Sequence, residues 1–131
     1  MPPKILSLKS GTTNKMTSTT TFNFAEVVLV NFPFTNLQAS KKRPAVIISN
    51  LSYQQERPDI ILMAITSQIR EPLAYGETLI SDWKHAGLAK PSVFKPLIAT
   101  IEQPAIVKSL GILSSQDKNS LLAILKEILR S

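Results

Sequence analysis

Residues 44–67 read PAVIISNLSYQQERPDIILMAITS, and two runs inside this stretch decide the fold. Pro44–Asn50 and Asp59–Ser67 are nearly continuous in apolar residues and rich in Val and Ile, the pattern of strands buried on both faces. Working outward, Glu26–Phe34 (EVVLVNFPF) is a third strand, and Pro33 within it argues for an edge position or a bulge near its end, because proline cannot donate to a ladder. Tyr75–Ile80 and Ser92–Lys95 are shorter strand candidates, and Ala105–Leu113 (AIVKSLGIL) is another, with Gly111 marking a bulge. Many short strands punctuated by Pro and Gly predict a small barrel rather than a parallel α/β sheet. The chain then changes period. Ser114 can cap a helix, with Asp117 three residues on, and Leu121, Leu125, Ile128 and Leu129 recur at helical spacing with Leu122 alongside. Lys118, Lys126 and Glu127 lie largely off that stripe, and Arg130 in the last turn suits the helix dipole. The expected class is therefore mainly β with α: a small barrel with a C-terminal helix packed on it.

The chain has 131 residues, which fits one domain. With 44% hydrophobic residues it is too apolar for a disordered chain. The absence of cysteine excludes disulfides, thiolate zinc sites and a Cys nucleophile. No window approaches the ~20 consecutive apolar residues of a membrane span. Residues 1–22 are rich in Ser, Thr and Lys and hold no acid, so they read as a flexible tail, with Met16 as an alternative start; residues 23–131 form the single domain. Lys4–Leu8 is too short for a signal-peptide core.

The net charge of +6 is less informative than its placement. No acid occurs between Glu26 and Glu56, a window holding Lys41, Lys42 and Arg43, and none between Asp82 and Glu102, a window holding Lys84, His85, Lys90 and Lys95. Two acid-free basic loops on one barrel can line a groove for a phosphate backbone. From charge alone, the plainer reading is that surface lysines keep the protein soluble. Pro44 holds Arg43 extended at the rim of the sheet, where its planar fork can meet two phosphate oxygens; taken alone it is better explained as a solvated loop arginine. Thr66, Ser67 and Gln68 end a strand with two hydroxyls and a carboxamide, which can bind ribose or phosphate, although such residues also cap strand ends routinely. His85, the single histidine, reads as an exposed loop residue. No His/carboxylate spacing suggests a metal site, and there is neither a P-loop nor a dinucleotide fingerprint.

Taken in order, these segments resemble one family. Glu26–Thr35 (EVVLVNFPFT), Lys42–Ile47 (KRPAVI), Ala64–Gln68 (AITSQ), Asp82-Trp83, Ala86–Leu88 (AGL), Lys90–Val93 (KPSV), Thr100–Glu102 (TIE) and Leu110–Ser114 (LGILS) are similar to the MazF/PemK toxins of toxin–antitoxin pairs, over about residue 24 to the C-terminus. The resemblance implies an SH3-like barrel with a C-terminal helix, usually a homodimer, and a cytoplasmic protein with no membrane association. It implies a ribosome-independent, metal-independent endoribonuclease that needs no cofactor, cutting single-stranded RNA and neutralised by a cognate antitoxin, the pair together binding DNA. Carried over by matching motifs, it makes Arg43 and Thr66 the catalytic pair. Lys41, Lys42, Ser67, Gln68, Lys90 and Lys95 are the RNA-binding candidates.

In such a reaction the ribose 2′-OH is the nucleophile. Arg43 stays protonated and is a poor base, so its expected role is to hold the non-bridging oxygens while Thr66 positions the 2′-OH or the phosphate. Phe34, Tyr53 and Phe94 are candidate stacking residues, Phe34 being also a natural core residue. The sequence departs from the family in three places. Ala25-Glu26 stands where Gly-Asp or Gly-Glu is frequent, and Ala99 stands where many members have Arg. Lys95 is the nearest match to a further assisting basic residue, with no counterpart for the acid near it. The alternative function is a non-cleaving barrel that binds nucleic acid or inhibits a protein target such as gyrase; a toxin that has lost activity is a third possibility.

Overall fold

The computed structural model of the protein describes residues 21–31 and 41–130. The expected tail up to residue 20, the alternative start at Met16, and the Pro33 and Phe34 positions lie outside the described residues. The elements in chain order are β1 (Glu26–Asn31), β2 (Lys42–Ile47), α1 (Leu51–Glu56), β3 (Asp59–Thr66), β4 (Thr78–Leu79), β5 (Val93–Glu102), a 3₁₀ turn at Gln103–Ala105, β6 (Ile106–Ile112) and α2 (Ser115–Leu129). The strands form one antiparallel sheet in the order β4-β5-β3-β2-β1-β6. The mainly β class and the C-terminal helix are as expected. The difference is that among the described residues the sheet is open, with β4 and β6 at its two edges.

Both faces of this sheet are apolar, which accounts for the continuous hydrophobic runs. On one face Val27, Val46, Met63, Ile65 and Phe94 pack with Leu121 and Ile124 of α2. On the other, Val28, Val30, Ala45, Ile47, Ile60, Leu62, Ala64 and Ile101 form a second buried cluster with Phe22. Phe22, assigned to the tail by sequence, is thus part of the fold; its backbone N–H donates to Gln54 Oε1 at 2.8 Å and its carbonyl accepts from Gln54 Nε2 at 2.7 Å. Gln54 is presented by α1, a helix the sequence reading did not anticipate, started by Asn50, whose side chain accepts from the Tyr53 N–H at 2.8 Å.

Irregularities fall where the residues demand them. β5 continues to Glu102, well past the expected Ser92–Lys95, because Pro96 and Leu97 are accommodated as a bulge between the Ala64↔Lys95 and Met63↔Ile98 pairs. The bulge expected near Gly111 lies between its pairing with Val27 and the Val28↔Ser109 pair. A side chain at Gly111 would meet the Ala86 carbonyl oxygen at 2.7 Å, so the 81–87 turn and β6 approach backbone to backbone. Ala25 has φ of 74°, a left-handed conformation that favours glycine, and is fully buried. It occupies the position where the resembling family often has Gly, so alanine is held there by the fold around it, its N–H bonded to Ile47 O at 2.8 Å and its carbonyl to Leu113 N at 3.0 Å.

Helix α2 starts as expected, Ser114 Oγ accepting from the Asp117 N–H at 3.3 Å. Asp117 does more than sit in the first turn. It is fully buried, and its carboxylate accepts from the backbone N–H groups of Ser81 at 2.9 Å and Asp82 at 2.8 Å. The apolar stripe is Leu121, Ile124, Leu125 and Ile128. Leu129 and Leu122 are 65% and 51% exposed, because at 3.6 residues per turn both point off the face that Leu121 and Ile124 define. Asp117→Ala, which strands two N–H donors, is expected to lower unfolding stability by about 2–4 kcal/mol in urea titrations. Leu129→Ala should change it by less than about 0.5 kcal/mol.

Candidate nucleic-acid interface

One end of the sheet gathers most of the candidate polar groups, for reasons of topology. β2 starts there, β3 ends there and β5 starts there, since Thr66 pairs with Val93 and β2 runs antiparallel to β3. Continuing the β2–β3 register by two residues beyond Ala45↔Ala64 sets Arg43 opposite Thr66. Strand alternation gives both the face of Ala45, Ala64 and the second apolar cluster. Arg43 is exposed, and its strand neighbour on the other side is Val30, fully buried. A cation thus stands at the edge of a dry surface, beside a half-buried hydroxyl, where an anion would be only partly screened by water. Thr66 Oγ1 accepts from the Gln68 N–H at 3.1 Å, which leaves its own O–H free to donate.

On the side of Thr66 away from β2 the surface opens into a cavity of about 220 Å³ lined by Thr66, Gln68, Arg70, Pro72, Glu77 and Lys95, with Ala74. Three of the residues singled out from sequence, Thr66, Gln68 and Lys95, therefore meet here. Arg70 and Glu77 were missed, because a loop that folds back onto the sheet leaves no periodic trace; the turn signal at Gly76, with φ of 86°, was the available hint.

The other candidates are distributed differently. Lys41 and Lys42 are exposed at the start of β2, but alternation turns Lys42 to the opposite face from Arg43. Ser67 is exposed just beyond β3. Lys90 is exposed ahead of β5, in a turn where its carbonyl accepts from Ser92 Oγ at 2.9 Å, and it does not line the cavity. The second basic window does not form one patch. Lys84 lies over the Trp83 ring, 5.4 Å from its centroid, and Trp83 packs with the cluster under α2. Nor is the groove free of acid, since Glu77 lines it. His85 is exposed in the 81–87 turn.

Two aromatic assignments are overturned. Phe94 is fully buried, paired with Ile65 on the helix-covered face, so no base can stack on it. Tyr53 sits on α1 beside Asp59, at the opposite end of β3 from Thr66, and its hydroxyl donates to Asp59 Oδ1 at 3.2 Å. Desolvation, and then that hydrogen bond, push its phenol above the ordinary 10.0. Ala99, where many of the resembling toxins carry Arg, lies in the second apolar cluster opposite Leu62. Among the described residues no group of three or more His, Cys, Asp or Glu side chains is placed to hold a metal ion, and no helix is long and apolar enough to cross a membrane.

Comparison with known proteins agrees with the architecture. Residues 23–129 match the family described as PemK-like, MazF-like toxin of type II toxin–antitoxin system. Among solved structures, a mycobacterial endoribonuclease in complex with its cognate antitoxin superposes with a TM-score of 0.65 at 17% identity, covering 82% of this chain and 93% of its own. MazF in a MazE–MazF complex from Deinococcus radiodurans gives 0.65 at 15% identity, over 85% and 97%. The Mycobacterium tuberculosis toxin MazF-mt6 gives 0.61 at 17% identity, over 78% and 93%. No curated protein matches significantly.

The salt dependence of binding to uncleavable single-stranded RNA separates these positions. Arg43→Ala and Lys95→Ala are each expected to reduce the slope of log affinity against log salt by about 0.7, whereas Lys84→Ala should leave it unchanged.

Proposed function

Because the chain belongs to the family of PemK-like, MazF-like toxins of type II toxin–antitoxin systems, we propose that it is a metal-independent endoribonuclease that cleaves single-stranded RNA. The observation that supports this reading is the β2–β3 pairing, which ends at Ala45↔Ala64 and, continued by two residues, sets Arg43 opposite Thr66 of the cavity wall.

The chemistry follows from what these groups can do. The ribose 2′-OH attacks the adjacent phosphorus and loses its proton, the P–O5′ bond breaks, and the departing oxygen takes up a proton. The products are a 2′,3′-cyclic phosphate and a 5′-hydroxyl. As the oxygen–phosphorus bond forms, negative charge grows on the non-bridging oxygens. Arg43 is permanently protonated and offers two coplanar N–H donors to them, at the edge of an apolar surface that limits competing hydration. Thr66, whose oxygen is already oriented by the Gln68 N–H, donates to a phosphate oxygen or holds the 2′-OH in line. Lys95, on the strand next to Thr66, adds charge without the planar fork.

In this reading the protein acts as a homodimer in the cytoplasm and is silenced by a cognate antitoxin, a partner supported by the mycobacterial endoribonuclease–antitoxin and Deinococcus MazE–MazF complexes. Arg43→Ala should lower cleavage of a single-stranded RNA at least ~100-fold with an unchanged circular dichroism spectrum and Tm. EDTA should leave the wild-type rate unaltered. A fully active Arg43→Ala protein, or EDTA inhibition relieved by magnesium, contradicts the proposal. Growth arrest on expression without any RNA cleavage would point instead to the non-cleaving barrel.

A further inference from the structure

The cavity beside Thr66 holds two charged groups, Arg70 and Glu77, that the cleavage chemistry does not use. Across the sheet the order is β2, β3, β5, β4, so Arg43, Thr66, Lys95 and Glu77 follow one another along the sheet end. The β4–β5 register, Thr78↔Phe94 and Leu79↔Val93, continues to set Glu77 opposite Lys95. At roughly 4.8 Å per strand, the backbone at Glu77 lies about 15 Å from that at Arg43. A carboxylate so placed does not serve a phosphate held between Arg43 and Thr66. It serves what extends from that phosphate on the Thr66 side, and in a single strand that is the neighbouring nucleotide with its base.

The carboxylate is held in place. The turn Ala74–Glu77 closes twice, Glu77 N–H donating to Ala74 O at 3.0 Å and Ala74 N–H donating to Glu77 Oε1 at 3.0 Å. Among the described residues neither Arg70 nor Lys95 forms an ion pair with Glu77, although all three line the cavity. An acceptor-only group, two donor-only cations and the Gln68 amide thus face about 220 Å³, less than the ~300 Å³ of the smallest drug-sized pockets and suited to one base.

Resting on the endoribonuclease reading, we infer that this cavity is a guanine subsite flanking the scissile phosphate, with Glu77 its specificity-determining residue. Guanine alone among the four bases presents two adjacent donors, N1–H and the N2 amino group, which a carboxylate accepts side by side. Its O6 and N7 are acceptors suited to Arg70 or Lys95. Uracil and cytosine each present one donor position to the carboxylate, and adenine presents only its N6 amino group.

The probes are guanosine, inosine, adenosine, cytidine and uridine 5′-monophosphates, titrated against the full chain by NMR and monitored at the amides of Gln68, Glu77 and Lys95. GMP is expected to bind at least ~5-fold more tightly than the other three standard nucleotides. IMP, which lacks the N2 amino group, should lose most of that advantage. Glu77→Gln should abolish the GMP preference, and in cleavage of a randomised RNA should relax selection at one position while Arg43-dependent cutting persists. No preference for GMP, or the same preference in Glu77→Gln, overturns the subsite. A protein that prefers GMP but cuts no RNA would retain the subsite and lose the nuclease reading. One that cuts RNA without a guanine preference would do the reverse.

Discussion

The pairing of β2 with β3 is the constraint on which the rest depends. Both strands are buried on both faces, so a slip of one residue would exchange Ala45 and Ile47 for Val46 in the cluster that faces away from α2. Volumes on the two sides differ, and the helix-covered side must also hold Met63, Ile65 and Phe94. Packing therefore selects one register, which pairs Ala45 with Ala64 and, continued by two residues, sets Arg43 opposite Thr66. The polar pair is positioned by apolar residues several positions away from it, an arrangement stiffer than a loop would provide.

A second constraint acts from the C-terminal end. The buried Asp117 carboxylate takes the backbone donors of Ser81 and Asp82, joining the first turn of α2 to the segment that follows β4. The close approach of Gly111 to Ala86 ties the end of the same segment to β6. Between them these contacts hold the 81–87 turn against the helix-covered face, and leave the loop between β3 and β4 to shape the cavity on the other side. The division of labour is physical: one face is covered by the helix, and the open end of the sheet keeps its polar groups.

The departures from the family pattern acquire different meanings in three dimensions. Ala25 adopts a left-handed conformation that favours glycine, the residue the resembling family often has there. Ala99 sets a buried methyl group where many of the resembling toxins carry a charge. An acid does lie near Lys95 in space, since Glu77, from beyond a loop, lines the same cavity.

The sequence by itself determined the two central strands, the terminal helix and its Ser114 cap, because hydrophobic period and capping chemistry are local, while the extents of β4 (Thr78–Leu79, not Tyr75–Ile80) and β5 were not legible in it. It pairs Arg43 with Thr66 only through the family resemblance, because taken alone the one reads as a solvated loop arginine and the other as a strand-end cap. Only the tertiary structure decided which of the basic residues lie near one another. Lys42 is turned to the opposite face by strand alternation, Lys84 lies over Trp83, and Lys95, just ahead of the bulge at Pro96 and Leu97, lines one cavity with Thr66. Phe94 and Tyr53 are removed from the site by burial and by their distance along the strands, while Arg70 and Glu77 enter it through a turn. The reason is common to all of them: side-chain neighbours across a sheet are set by register and bulges, which depend on packing summed over many residues and not on any short stretch of chain.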